Sequence, residues 1–245
     1  VLEDPGGPRL TIRRGPRRKT NGQTMLMEKA YRLIKDDLIS CRLAPGSMVT
    51  ERELSERHQT GKTPIREALT ILQREGLVRA LPRRGILVEP IHAMHIRHTY
   101  FIRMLVEPAA AALAARNATP EQVAHLETLL HDAAPENHVG MPLDPEQLRK
   151  HSAFHGGVAE LSGIPRLAAL VRSLHDEVER FLNHNKHLGT MLRFGDSDHR
   201  LLEAIAAHQP EKAEEIAATS LAVSQRKLIE AMLGDHTLTG DGQID

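Results

Sequence analysis

The stretch that decides the fold is Lys62-Thr63-Pro64-Ile65-Arg66-Glu67-Ala68-Leu69, followed by the runs Leu77–Leu81 and Ile86–Glu89 around Pro82-Arg83-Arg84-Gly85. Ala68, Leu69 and Leu72 give a helix here its apolar face, and Lys62, Arg66 and Thr70, about four residues apart, share the opposite face. Thr63 is placed to cap this helix with Pro64 at its first position, where a backbone N–H has no intrahelical partner to lose. Gly76 ends it. The two short apolar runs then predict a β-hairpin with a basic tip.

Working outward toward the N-terminus, Leu26, Ala30, Leu33, Ile34 and Leu38 repeat with a helical period that starts at Met25 and stops before Pro45-Gly46. Thr50 and Glu53 have capping-box spacing and open a second helix, which Gly61 breaks. Three helices and a basic hairpin describe a winged helix-turn-helix over residues 22–90, with the third helix suited to the DNA major groove and the wing to the backbone. Residues 1–21 carry Arg13, Arg14, Arg17, Arg18 and Lys19 with nothing apolar to pack, and read as a disordered basic arm.

Beyond Pro90 no strand signal occurs. Thr119-Pro120-Glu121-Gln122 and Asp144-Pro145-Glu146-Gln147 are near-identical helix starts, and Gln209-Pro210-Glu211 is a weaker one. Helices are expected near 92–116, 120–133, 144–161, 165–186, 196–208 and 210–232, with Pro108 kinking or splitting the first. The fold class is mostly α: the winged helix plus an all-helical bundle of six or seven helices over residues 91–233, with a disordered tail over 234–245.

Charge divides the chain at the same place. Residues 1–90 hold 18 Lys and Arg against 11 Asp and Glu, a net of +7, whereas residues 91–245 hold 14 against 21, a net of −7. Fourteen of the 15 histidines lie in the second part. A basic first part suits a polyanion, and an acidic, His-rich second part suits metal or ligand binding. With no Trp, two Tyr and four Phe, the chain lacks the aromatics that stack single-stranded bases. It has no apolar run long enough to span a membrane and no apolar stretch resembling a secretory signal near its start. The single Cys41 fits a reducing cytoplasm.

Five short stretches in order carry a family resemblance: Leu43-Ala44-Pro45-Gly46, Glu51-Arg52-Glu53-Leu54, Lys62 to Leu69, Glu75-Gly76-Leu77-Val78 and Arg84-Gly85. Residues 25–90 resemble the GntR family of bacterial transcription regulators. The resemblance implies DNA contacts at Arg52, Lys62, Thr63, Pro64, Arg66, Arg84 and Gly85. The family usually has Ser-Arg where this chain has Gly61-Lys62, and Lys lacks the guanidinium fork that reads a base through two hydrogen bonds.

In the second part, His151 and His155 are four apart on one predicted helix, a spacing at which two imidazoles can share a metal ion; two surface or half-buried histidines bonded to backbone or water are the alternative. Arg103-Met104-Leu105-Val106-Glu107, Phe154-His155 and Asp198-His199 with Leu202-Glu203-Ala204-Ile205 resemble the FCD-type effector domain of the FadR subfamily. That resemblance implies a divalent metal of the Zn or Ni type held by His151, His155 and His199, with His151 standing where the family has Asp and Ser220 where it has its last His. Arg103 is either a partner for an anionic effector or one half of an ion pair with Glu107.

Together these features imply a cytoplasmic transcription regulator, with repression the expected direction. It would bind double-stranded operator DNA as a homodimer and respond to a small carboxylate in the bundle. No catalysis and no membrane are expected. Two rivals stand beside this reading. One is a helical metal-dependent hydrolase using His131-Asp132 or His175-Asp176, which needs one of those pairs near His151 and His155. The other is a ligand-free dimerisation scaffold with a DNA-binding head, which needs the bundle interior filled by Leu and Phe.

Overall fold

A computed structural model describes residues 21–133, 144–189 and 196–234. The expected basic arm, apart from Asn21, and the expected tail beyond Gly234 lie outside the described residues.

Helix α1 (Asn21–Ile39) begins before the expected Met25 and turns Ala30, Ile34 and Leu38 fully inward, while Leu26 in its early turns stays exposed. Strand β1 (Met48–Val49) follows the Pro45-Gly46 turn, and α2 (Glu51–Arg57) starts on the expected capping box. There the Thr50 hydroxyl accepts from the Glu53 N–H and the Glu53 carboxylate accepts from the Thr50 N–H. Helix α3 (Lys62–Arg74) starts earlier than expected: Gly61 is its N-cap, so Thr63 and Pro64 lie inside its first turn. The proline is tolerated there because first-turn N–H groups have no partner within the helix.

Strands β2 (Val78–Leu81) and β3 (Gly85–Val88) form the expected hairpin. They join β1 in an antiparallel sheet of order β1-β3-β2, with Val49 opposite Ile86 and Leu81 opposite Gly85. Gly85 has φ +107°, and a Cβ there would sit 2.8 Å from the Val49 carbonyl oxygen, so any side chain would push β1 off the sheet. Ile34, Leu38, Leu54, Ile65, Leu72 and Val88 close a separate apolar core beneath this sheet.

The second part is helical as expected, through α4 (Ala93–Asn117), α5 (Pro120–Ala133), α6 (Pro145–Leu161), α7 (Pro165–His184), α8 (Lys186–Gly189), α9 (Ser197–Ala206) and α10 (Pro210–Gly234). Helix α4 runs through Pro108 without splitting, contrary to the alternative read from sequence. Ala111, Ala114 and Ala115 on α4 are buried, and their small side chains let α10 pack along the helix. Gly157 does the same for α5 and α6, since a Cβ there would lie 2.8 Å from a Leu126 methyl carbon. Phe154 of α6 and Phe181 of α7 are fully buried anchors, each contributing roughly 1.5–3 kcal/mol.

Helix α7 joins the two bodies. The Lys35 ammonium of α1 lies 2.7 Å from the Asp176 carboxylate, the Asn183 amide donates to the Ile39 carbonyl at 3.0 Å, and the Arg180 guanidinium donates to the Glu89 carbonyl.

Candidate functional site

The first site is the outer face of α3 with the wing. Lys62, Thr63 and Arg66 are exposed, Pro64 is half-buried beside them, and Arg83, Arg84 and Gly85 make the hairpin tip. Arg66 is held as a fork by Glu51: its Nε donates to Oε1 at 2.9 Å and its Nη2 to Oε2 at 2.7 Å. That guanidinium keeps the Glu51 carboxyl below its ordinary range. Arg52 is likewise paired with Glu56, at 2.8 Å. Both pairs face water, so they are weak and a phosphate or base edge can replace the acid.

The second site is a cavity of about 550 Å³ between α4, α6, α7, α9 and α10. His151 and His155, one turn apart on α6, aim their Nε2 atoms at each other across 3.1 Å. Asp198 on α9 closes the triangle, with its oxygens 3.1 Å from His151 Nε2 and 3.6 Å from His155 Nε2. Behind them Arg103 donates to Glu107 from Nε at 2.6 Å and from Nη2 at 3.3 Å. The His175 Nε2 lies 3.2 Å from both Arg103 and Glu107, and its ring stacks on His155 at 4.9 Å.

Electrostatics sort these groups. Burial, reinforced by the neighbouring His151, pushes His155 down to about 3, so it is a neutral ligand-type imidazole at physiological pH. Burial would raise Asp198, but the charge and hydrogen bond of His151 win and bring it to about 2. Burial and the Arg103 charge push His175 down as well. Glu107 is held well below the carboxylate range: burial opposes this, and the charges of Arg103 and His175 overcome it.

The donor set at His151, His155 and Asp198 fits a divalent metal. Bonds of about 2.0–2.1 Å in a tetrahedron place neighbouring ligand atoms roughly 3.3–3.4 Å apart. The observed spacings of 3.1 to 3.6 Å bracket that value. Glu107, His155 and His175 also converge, but the adjacent Arg103 cation already occupies Glu107 and would repel an ion.

Two expectations change here, those for His199 and Arg103. His199 does not join the converging groups or line the cavity; Asp198, one residue earlier, does. Adjacent helical residues point about 100° apart, and Asp198 lies on the buried face with Leu201 and Ile205. That phase was readable in the sequence. Arg103 is a buried ion pair with Glu107 and does not present a free guanidinium. Ser220 lines the cavity and donates to the Ser197 hydroxyl at 3.1 Å, outside the ligand triangle.

The geometry also bears on the two rivals. His175 reaches the cluster, but Asp176 turns the other way to Lys35, and His131 and Asp132 are exposed on α5, so neither His-Asp pair presents both members to one ion. The bundle interior holds an open cavity lined by polar as well as apolar side chains and is not filled by Leu and Phe.

Residues 26–88 match the family of bacterial regulatory proteins called gntR, and residues 98–222 match the FCD domain. Over 104 residues the chain is 36% identical to the HTH-type transcriptional repressor RspR of Escherichia coli K12, covering 42% of this chain and 46% of that relative, so it spans about half of that relative's length. It is 26% identical over 189 residues to the uncharacterized HTH-type transcriptional regulator YdhC of Bacillus subtilis, covering 76% of this chain and 83% of that one. The solved structure of E. coli McbR/YncC shares the fold with a TM-score of 0.69, at 23% identity over 84% of this chain and 97% of that chain.

Proposed function

From the premise that the chain belongs to the GntR family and carries an FCD domain, we propose that it is a transcription regulator whose affinity for operator DNA changes when a small molecule occupies the cavity of the bundle. Regulators of this family are not enzymes, and the splitting of the His175-Asp176 pair agrees with that. Repression is the direction we favour, and cytoplasmic location follows from a DNA target.

The observation that carries the reading is the two-sided use of α7. Val171, His175, Val178 and Leu182 line the cavity, while Asp176, Arg180 and Asn183 hold the winged helix. A ligand that shifts α7 therefore acts on both ends of one rigid element, and it changes DNA affinity by its differential affinity for the two arrangements.

His151, His155 and Asp198 would hold a divalent metal, which supplies a positive centre for an oxygen ligand. The chain's own part is to keep the His155 imidazole neutral and Asp198 ionised, so that these two donors are ready at physiological pH. Arg200, Lys212 and Lys227 also line the cavity and favour an anionic effector such as a carboxylate. Met94, Phe101 and Leu105 are exposed on α4, and this apolar surface favours a second copy of the chain. A two-fold dimer pairs with a pseudo-palindromic operator.

The test starts with sites selected by the whole chain from a random DNA library. Selected sites should be inverted repeats, and binding should weaken steeply with salt, by about 0.9 in log K per log unit of salt for each phosphate contacted. Metal analysis of protein purified without a His-tag should find one transition-metal ion per chain, lost in His155→Ala. Absence of sequence preference overturns the regulatory reading; absence of metal in the parent overturns the metal alone.

A further inference from the structure

A second cavity, of about 480 Å³, lies where the winged helix meets the bundle. Its walls come from the turn after α3, the segment after β3, the start of α4 and the outer face of α7, so it is separate from the first cavity. Its unusual member is Arg180, only 6% exposed. One of its terminal nitrogens donates to the Glu89 carbonyl, its Nε is buried with no acceptor, and among the described residues no carboxylate lies within ion-pair distance of it. Glu89 and Glu177 act on it only across a distance, and a buried guanidinium in contact with no carboxylate is costly, a need that a ligand oxygen would meet.

The acids of the same cleft narrow the ligand further. Glu75 is paired with Lys35 at 3.1 Å and Glu89 with Arg79 at 2.8 Å. Glu177, three residues before Arg180 on α7, accepts a hydrogen bond from the Thr99 hydroxyl at 2.6 Å and has no cation in ion-pair distance among the described residues. The cleft, also lined by His92, His95 and His98, therefore offers one cation and one carboxylate within a turn of each other, in each other's field but in no direct ion pair. A simple anion would add a further negative charge beside three carboxylates, whereas a zwitterion leaves the charge of the cleft unchanged. Ile91, Ile102 and Leu174 supply apolar wall for the rest of the ligand.

We propose that this cleft binds a free α-amino acid with an apolar side chain, its carboxylate on Arg180 and its ammonium on Glu177. Because both bodies wall the cleft, such a ligand fixes how the winged helix sits on the bundle, a second input beside the first cavity. The binding itself does not depend on the regulatory reading.

Calorimetry on the whole chain, titrated singly with the twenty common L-amino acids, tests it without DNA. Saturable binding of one or more apolar amino acids is expected. For the tightest, the analogue lacking the ammonium and the analogue lacking the carboxylate should each bind at least about tenfold more weakly, the scale of one charge-assisted hydrogen bond. Glu177→Gln, at an exposed position that leaves the fold intact, should weaken binding by a similar factor, and Arg180→Gln should do so too. The proposal is overturned if no amino acid binds, if the ammonium-free carboxylate binds as well as its parent, or if Glu177→Gln binds unchanged.

Discussion

The two halves of the chain use the same ion pair, an arginine forked onto a glutamate, for opposite ends. Arg66 and Glu51 lie on the surface of the winged helix, where water screens them and DNA can take the acid's place. Arg103 and Glu107 lie inside the bundle at 5% and 7% exposure, packed against His175. There no solvent can replace either partner, so the pair fixes the wall of the cavity and leaves Arg103 unavailable to a ligand. Residue type alone does not separate an exchangeable contact from a structural one; burial does.

The largest expected effect tests the buried pair. Glu107→Gln leaves Arg103 charged and unpaired in the bundle, and stability to urea should fall by about 3–5 kcal/mol. A loss below about 1 kcal/mol would show that the interior is wetter than the geometry implies and would erase the contrast. Next, Arg66→Ala should leave unfolding nearly unchanged and weaken binding to a selected DNA site roughly 10- to 100-fold, more than binding to random DNA. Equal losses on both DNAs would reduce Arg66 to a phosphate contact. Glu51→Gln sharpens the same point: freeing Arg66 from its acid should tighten random-DNA binding a few-fold and narrow the gap between selected and random sites.

Helix α7, which touches both halves, gives a pH test. Glu179 is buried there, and burial, with the nearby Asp176 charge, pushes its carboxyl from 4.5 up to about 7. Between those values the folded chain holds a proton that the unfolded chain has lost, so this group's contribution to stability falls as pH rises from 4.5 to 7 and is flat above. Glu179→Gln should therefore gain more over the parent at pH 8 than at pH 4.5 in thermal unfolding. His155 acts with the opposite slope: its depressed imidazole contributes stability above about 6.5 that is lost as pH falls toward about 3. The smallest effect is local: Thr50→Ala removes the α2 cap and should cost about 1 kcal/mol.

What the sequence determined by itself was everything set within a turn or two of the chain. The Thr50–Glu53 and Asp144–Gln147 capping boxes, the wing around Arg83 and Arg84, the outward face of Lys62 and Arg66, and the adjacency of His151 and His155 all formed as read. Helical and strand periods fix which neighbours share a face, so spacing suffices there. The tertiary structure alone decided the rest. Strand β1 is two residues long and carries no period of its own; pairing with Leu87 and Ile86 makes it a strand. The spacing of Leu201 and Ile205 already put Asp198 and not His199 on the inner face of α9, but only the docking of α9 brought it to His151 and His155. Arg103, Glu107 and His175 meet across 72 residues of sequence, and Arg180 lost its solvent only when the winged helix closed over α7. Convergence of separate helices depends on how their apolar faces dock, and no local spacing encodes that.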